Sequence, residues 1–170
     1  MSEKYPDKLF QGIDVSKDAS KFWQEGKNGN LKFSGDSNDF FDLAICLDVF
    51  EHVEDYMGFL KNIKSKAKIF IFNIPLDMSV IKLVSSGLRH AREDVGHLHY
   101  FNSFTALATL EKCGYVIKDS FLSAAFLKTK PRNFKQLVLL FPRLLTLLLG
   151  KKMGSILFGG ISLVVTTSIE

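Results

Sequence analysis

One stretch constrains the fold more than any other. In Asp42-Leu43-Ala44-Ile45-Cys46-Leu47-Asp48 an unbroken apolar run is bracketed by two aspartates. A strand with one wet face alternates apolar and polar residues, whereas an unbroken run reads as a strand covered on both faces, as in parallel sheets. Directly after it, Val53, Tyr56, Met57, Leu60 and Ile63 recur on one face of a helix. Ile69-Phe70-Ile71-Phe72 reads as the next strand. Asn73-Ile74-Pro75 should end it, because proline has no N–H to give a sheet ladder. Strand, helix, strand in this order predicts right-handed crossovers and an α/β fold: a mostly parallel sheet with helices on both faces, a three-layer sandwich.

The flanks extend the pattern. Leu9 to Ile13 is an apolar run ending at Asp14; Ser16 can cap a helix carrying Ala19, Phe22 and Trp23, which stops around Gly26 to Asn30. Leu31 to Phe33 is again extended. Beyond the Ile69–Phe72 run, residues 77–100 read as an insertion, with a helix through Val80, Ile81, Leu83, Val84 and Leu88 and breaks at Gly87 and Gly96. Asn102 can cap a helix bearing Phe104, Leu107, Ala108 and Leu110, with Gly114 as its stop. Tyr115 to Phe121 is extended, and residues 131–153 form a second, apolar and helical insertion. The last strand, Ile161 to Thr167, arrives by a hairpin-like return and is expected to be antiparallel. With no repeat and no linker, residues 1–170 read as a single partial domain.

Composition narrows the partners. Hydrophobic residues make up 46% of the 170, which supports a core and argues against disorder. The net charge is +4, and its nearest approach to a cluster, Lys61, Lys64, Lys66 and Lys68, reads as a solvated helix face, so no nucleic acid is expected. Cys46 and Cys113 cannot form a disulfide scaffold and read as small buried hydrophobes of a reducing, cytoplasmic protein. The N-terminus lacks a signal-peptide pattern. Leu137 to Leu149, interrupted by Pro142 and Arg143, falls short of the ~20 residues a membrane span needs.

In open α/β sheets ligands bind beyond the carboxyl ends of the strands. Asp14 follows the first strand, Gly35-Asp36 the second, Asp48-Val49-Phe50-Glu51-His52 the third and Asn73 the fourth. An acid in the first position can accept two hydrogen bonds from a ribose diol.

These residues carry a resemblance. Phe41 to Asp55, with Glu51-His52 directly after the strand, resembles the fourth motif of class I, Rossmann-like S-adenosylmethionine (SAM)-dependent methyltransferases of the small-molecule type. Gly12-Ile13-Asp14-Val15-Ser16 is similar to their second motif and Gly35-Asp36 to their third. His97-Leu98-His99-Tyr100-Phe101-Asn102, followed by a helix and Gly114-Tyr115, resembles the approach to their sixth strand. The resemblance implies SAM as cofactor and a small-molecule acceptor; the Leu, Phe and Val content of the insertions 77–100 and 131–153 points to an apolar one, such as a lipid, quinone precursor or secondary metabolite, or to a peripheral, lipid-facing surface, with plain core packing as the alternative and oligomer formation open. It implies that Asp14 holds the ribose, that Asp36 lies by the adenine, and that Asp48 faces the amino-acid end of SAM or the acceptor. Glu51 and His52 become the catalytic pair, positioning the acceptor or moving a proton, and His97 and His99 line the acceptor pocket. Each has a plainer reading: helix cap for Asp14, turn former for Asp36, helix anchor for Glu51-His52, packing for the histidines. His97 and His99, two apart on a strand, would face one side and could join Glu51 and His52 around zinc, but pocket lining is the preferred reading and no metal is assigned.

The pattern also departs from the family. The glycine-rich first motif, separated from the second strand by about 15 to 20 residues of helix, has no counterpart before Asp14. The reading is therefore of an N-terminally truncated domain whose first, central strand is missing and which binds SAM weakly. The alternative is a non-catalytic, methyltransferase-like interaction module or inactive fragment.

Overall fold

The computed structural model describes residues 1–14, 21, 23, 29–124, 144 and 150–169. The chain divides into two compact units, Met1–Asp39 and Phe40–Glu170.

In the first unit, β1 (Phe10–Ile13) pairs in parallel with β2 (Leu31–Ser34). Gly12 lies opposite Phe33, and a Cβ there would come within 2.5 Å of the Phe33 ring, so this close approach requires glycine. Trp23 stacks on the same ring at 5.6 Å. The segment before β1 is fastened by buried Asn30, whose side-chain amide lies 3.1–3.2 Å from the carbonyls of Ser2, Tyr5 and Lys8. The expected helix from Ser16 onward lies outside the described residues, apart from residues 21 and 23.

The second unit is built on a four-stranded sheet, β3 (Phe41–Leu47), β4 (Ala67–Pro75), β5 (Val116–Ser123) and β6 (Ser162–Ser168), in the order β3-β4-β6-β5. β3 and β4 are parallel, with Leu43 opposite Ile69 and Leu47 opposite Asn73. β6 is antiparallel to both β4 and β5, so β5 runs with β4. The fold is thus the expected mostly parallel one with an antiparallel last strand.

Helices α1 (Tyr56–Ile63) and α4 (Ser103–Lys112) supply the core residues Leu60, Ala106 and Leu110. These pack with Phe70, Phe72 and Val165 of the sheet, all inaccessible to solvent. Asn102 caps α4 as expected, in a reciprocal pair with Thr105: the Thr105 N–H donates to Asn102 Oδ1 at 2.9 Å, and the Asn102 N–H donates to Thr105 Oγ1 at 3.0 Å. Two short helices, α2 (Val80–Val84) and α3 (Gly87–His90), follow β4, and α5 (Lys151–Leu157) precedes β6. Most of the expected insertion at 131–153 lies outside the described residues.

Two expectations need correction. The apolar run of β3 is covered on one face only: Ala44 and Cys46 pack on the core, while Leu43, Ile45 and Leu47 are 44%, 40% and 59% exposed. The reason is that α1 and α4 both feed the same core on one face; Ile69 of central β4, opposite Leu43, is likewise 43% exposed. The end of β4 is as expected: the strand stops within Asn73-Ile74-Pro75, at Pro75 opposite Ser162, where the missing proline N–H cannot continue the ladder. The helix after β3 begins at Tyr56 rather than Val53, and Asp55 caps it by accepting the Gly58 N–H at 2.9 Å.

Candidate functional site

The carboxyl ends of β3 and β4 lie side by side. Asp48 leaves β3 with φ 52°, a left-handed conformation uncommon for anything but glycine, asparagine or aspartate. Two hydrogen bonds to Asn73 hold it there. The Asp48 N–H donates to the Asn73 carbonyl at 3.0 Å, and Asn73 Nδ2 donates to Asp48 Oδ1 at 2.8 Å. This kink turns the chain into a 3₁₀ turn, Phe50–His52. Phe50 anchors the turn in the core, edge-on to Phe101 at 5.2 Å and to Phe72 at 6.2 Å.

With Phe50 pointing inward, Glu51 is carried in as well. Its side chain is 0% exposed, and neither carboxylate oxygen has a hydrogen-bond partner among the described residues. Burial, with the negative charges of Asp48 and Asp77 adding to it, pushes the Glu51 carboxyl up to about 7. Its backbone carbonyl accepts the N–H groups of Leu98 at 2.8 Å and His99 at 3.1 Å, which lays the loop 97–99 against the turn.

That loop brings His97 over Glu51 and His52. The rings of His52 and His97 meet edge to face at 4.8 Å, and the ligating atoms of Glu51, His52 and His97 all lie within 4.8 Å of one another. Behind His97 stands Asp77, 4% exposed, whose Oδ2 accepts from His97 Nδ1 at 2.5 Å and whose Oδ1 accepts from Lys82 Nζ. Burial alone would raise the Asp77 carboxyl, but Lys82 and His97 outweigh it and hold it below its ordinary range. His52 Nδ1 donates to the Gly96 carbonyl at 3.0 Å, at a glycine whose φ of 85° closes the preceding helical turn.

His99 does not join this group. Residues 97–99 are not a strand, so the two histidines do not share a side. His99 Nε2 donates to the carbonyls of Val53 at 2.9 Å and Glu54 at 3.1 Å, and its ring packs on Tyr56. Nor do Glu51 and His52 cap α1, since Asp55 does that. In the first unit, Asp14 and Asp36 follow the two parallel strands at their common carboxyl end, where the Asp14 N–H donates to the Ser34 carbonyl at 3.2 Å. Asp36 is exposed and accepts the Ser37 N–H at 2.7 Å.

Asp77 is the residue the sequence reading passed over. An acid two residues past Pro75, just beyond the end of a parallel strand, was the available signal. Leu76 and Met78 on either side of it line a shallow cavity of about 290 Å³ with Phe104, Lys152 and Ile156.

No protein-family model matches the sequence, and no curated protein matches it. Solved structures do. A SAM-dependent methyltransferase from Archaeoglobus fulgidus superposes with a TM-score of 0.56 at 16% identity, over 93% of this chain and 75% of that one. The chain has the class I SAM-dependent methyltransferase fold. The magnesium protoporphyrin IX methyltransferase of Synechocystis PCC 6803, solved with bound SAH, shares this fold with a TM-score of 0.56 at 15% identity, over 95% of this chain and 64% of that one. The cyclopropane synthase MmaA2 of Mycobacterium tuberculosis shares it with a TM-score of 0.59 at 11% identity, over 95% and 70%. These relatives perform different reactions on one scaffold, so the methyltransferase fold alone does not name the reaction of this chain.

Proposed function

We propose that the chain is a SAM-dependent methyltransferase domain acting on a small-molecule acceptor. The observation that carries this reading is the Asp48–His52 turn, set by a left-handed aspartate at the carboxyl end of β3 in a fold shared with SAM-dependent methyltransferases. In this reading Asp14 accepts hydrogen bonds from the ribose hydroxyls of SAM, Asp36 lies by the adenine, and Asp48 faces the amino-acid end. His52 and His97 face the acceptor, and Glu51, wholly buried beneath them, positions the two rings. Methyl transfer asks for little acid–base help, since the sulfonium is already electrophilic, so alignment of the acceptor is their main contribution. His99, bonded to backbone carbonyls, holds the loop that presents His97. A reducing, cytoplasmic setting belongs to the same reading, in keeping with two free cysteines. No helix among the described residues is long and apolar enough to cross a membrane.

A second reading, a non-catalytic interaction module, draws on the half-exposed apolar face of Leu43, Ile45 and Leu47 on an edge strand. One experiment separates the two. Amide NMR of the full chain titrated with SAH should show shifts at residues 12–14, 34–36 and 48–52, weakened in Asp14→Ala. Shifts elsewhere, or none from a folded chain, would refute the methyltransferase reading. A stable dimer by native mass measurement with no response to SAH would favour the second.

A further inference from the structure

Glu51 presents an unusual problem. A carboxyl group with no accessible surface and no partner for either oxygen costs several kcal/mol in its charged form, roughly, unless something cationic faces it. The groups that do face it are two imidazoles, and both are held in one orientation by their outer nitrogens. A carbonyl can only accept, so the contact of His52 Nδ1 with the Gly96 oxygen places a proton on Nδ1. Asp77 is held ionised by Lys82 and His97, so His97 Nδ1 is likewise the donor toward it. In the neutral form of each ring the lone pair therefore resides on Nε2.

We infer that Glu51, His52 and His97 form a three-ligand site for a divalent transition metal of the zinc type. Two imidazole nitrogens and one carboxylate oxygen are a donor set suited to zinc, and three protein ligands leave a fourth position for water or an acceptor oxygen. The groups that orient both rings are already in place: Asp77 behind His97 is the carboxylate–histidine arrangement that fixes ring orientation at metal sites, and the Gly96 carbonyl does the same for His52. Ligands on a tetrahedral ion stand roughly 3.3 Å apart at ordinary bond lengths. One donor atom from each of the three side chains already lies within 4.8 Å of the others, so a contraction of at most about 1.5 Å, with rotation of the rings, reaches that spacing. His52 is exposed, which gives the ion a way in. The site would offset the orphaned carboxylate and does not depend on SAM binding.

The test uses the full chain, stripped with EDTA and titrated with cobalt(II), then with zinc. The expected result is one equivalent of cobalt with visible d–d absorption, displaced by zinc. His52→Gln changes an exposed ring and should leave the fold intact by circular dichroism while lowering zinc affinity at least tenfold. Asp77→Asn should lower it about 10- to 100-fold without removing a ligand. Absence of cobalt absorption in the folded wild-type chain would overturn the inference. So would zinc binding of equal strength in His52→Gln, which would place the ion elsewhere.

Discussion

Replacing Glu51 by glutamine should remove one component of the dependence of stability on pH. The wild-type carboxyl is wholly buried without a partner, and burial raises it from 4.5 to about 7. A carboxyl whose native pKa lies above its unfolded value binds its proton more tightly in the native state. Its stabilising contribution is therefore fully present below the unfolded value and lost as pH rises through about 7. From 4.5 to about 7, at about 1.4 kcal/mol per pKa unit, the loss amounts to about 3 kcal/mol. Glutamine has nearly the same shape and never ionises, so whatever its amide costs on burial is the same at every pH. Urea unfolding of both chains in EDTA at about pH 5 and about pH 8.5 reads the difference directly. The wild type should lose about 2.5 kcal/mol relative to Glu51→Gln between the two conditions, since pH 5 already lies slightly above the unfolded value. Parallel curves, differing by less than about 0.5 kcal/mol, would mean that Glu51 is hydrated or paired and that the reasoning fails.

Two further outcomes follow from the packing. Phe72→Ala opens a cavity on the covered face of the sheet, beside Phe50, Phe70 and Tyr115, and should cost about 3–5 kcal/mol by chemical denaturation, whereas Leu47→Ala, on the exposed face of β3, should cost well under about 1 kcal/mol. Asn102→Ala removes the acceptor for the Thr105 N–H at the start of α4 and should lower stability by about 1 kcal/mol in the same assay; an unchanged midpoint would show that the cap contributes nothing.

Among the described residues, local pattern alone determined the order of the strands, the capped helix after Asn102 and the placement of acids just past strand ends. These are short-range matters: apolar periodicity, a side chain able to accept a nearby N–H, a proline or glycine that breaks a run. The antiparallel last strand was also legible, from the hairpin-like return before Ile161. Only the tertiary structure decided which apolar residues are covered. Leu43, Ile45 and Leu47 read like Ala44 and Cys46 in the sequence, and they part company because successive residues of a strand point to opposite faces and the α1 and α4 core covers only one of them. The site divides in the same way. Glu51, His52, His97 and His99 were visible as candidates that could gather, but which histidine joins the group was not, because that depends on contacts 20 to 48 residues apart: the Glu51 carbonyl capturing the 98–99 backbone, Asp77 turning His97, and His99 drawn off to the Val53 carbonyl. Such hydrogen bonds join chain segments whose separation no local spacing encodes, so the same two histidines that look equivalent in sequence end in different surroundings.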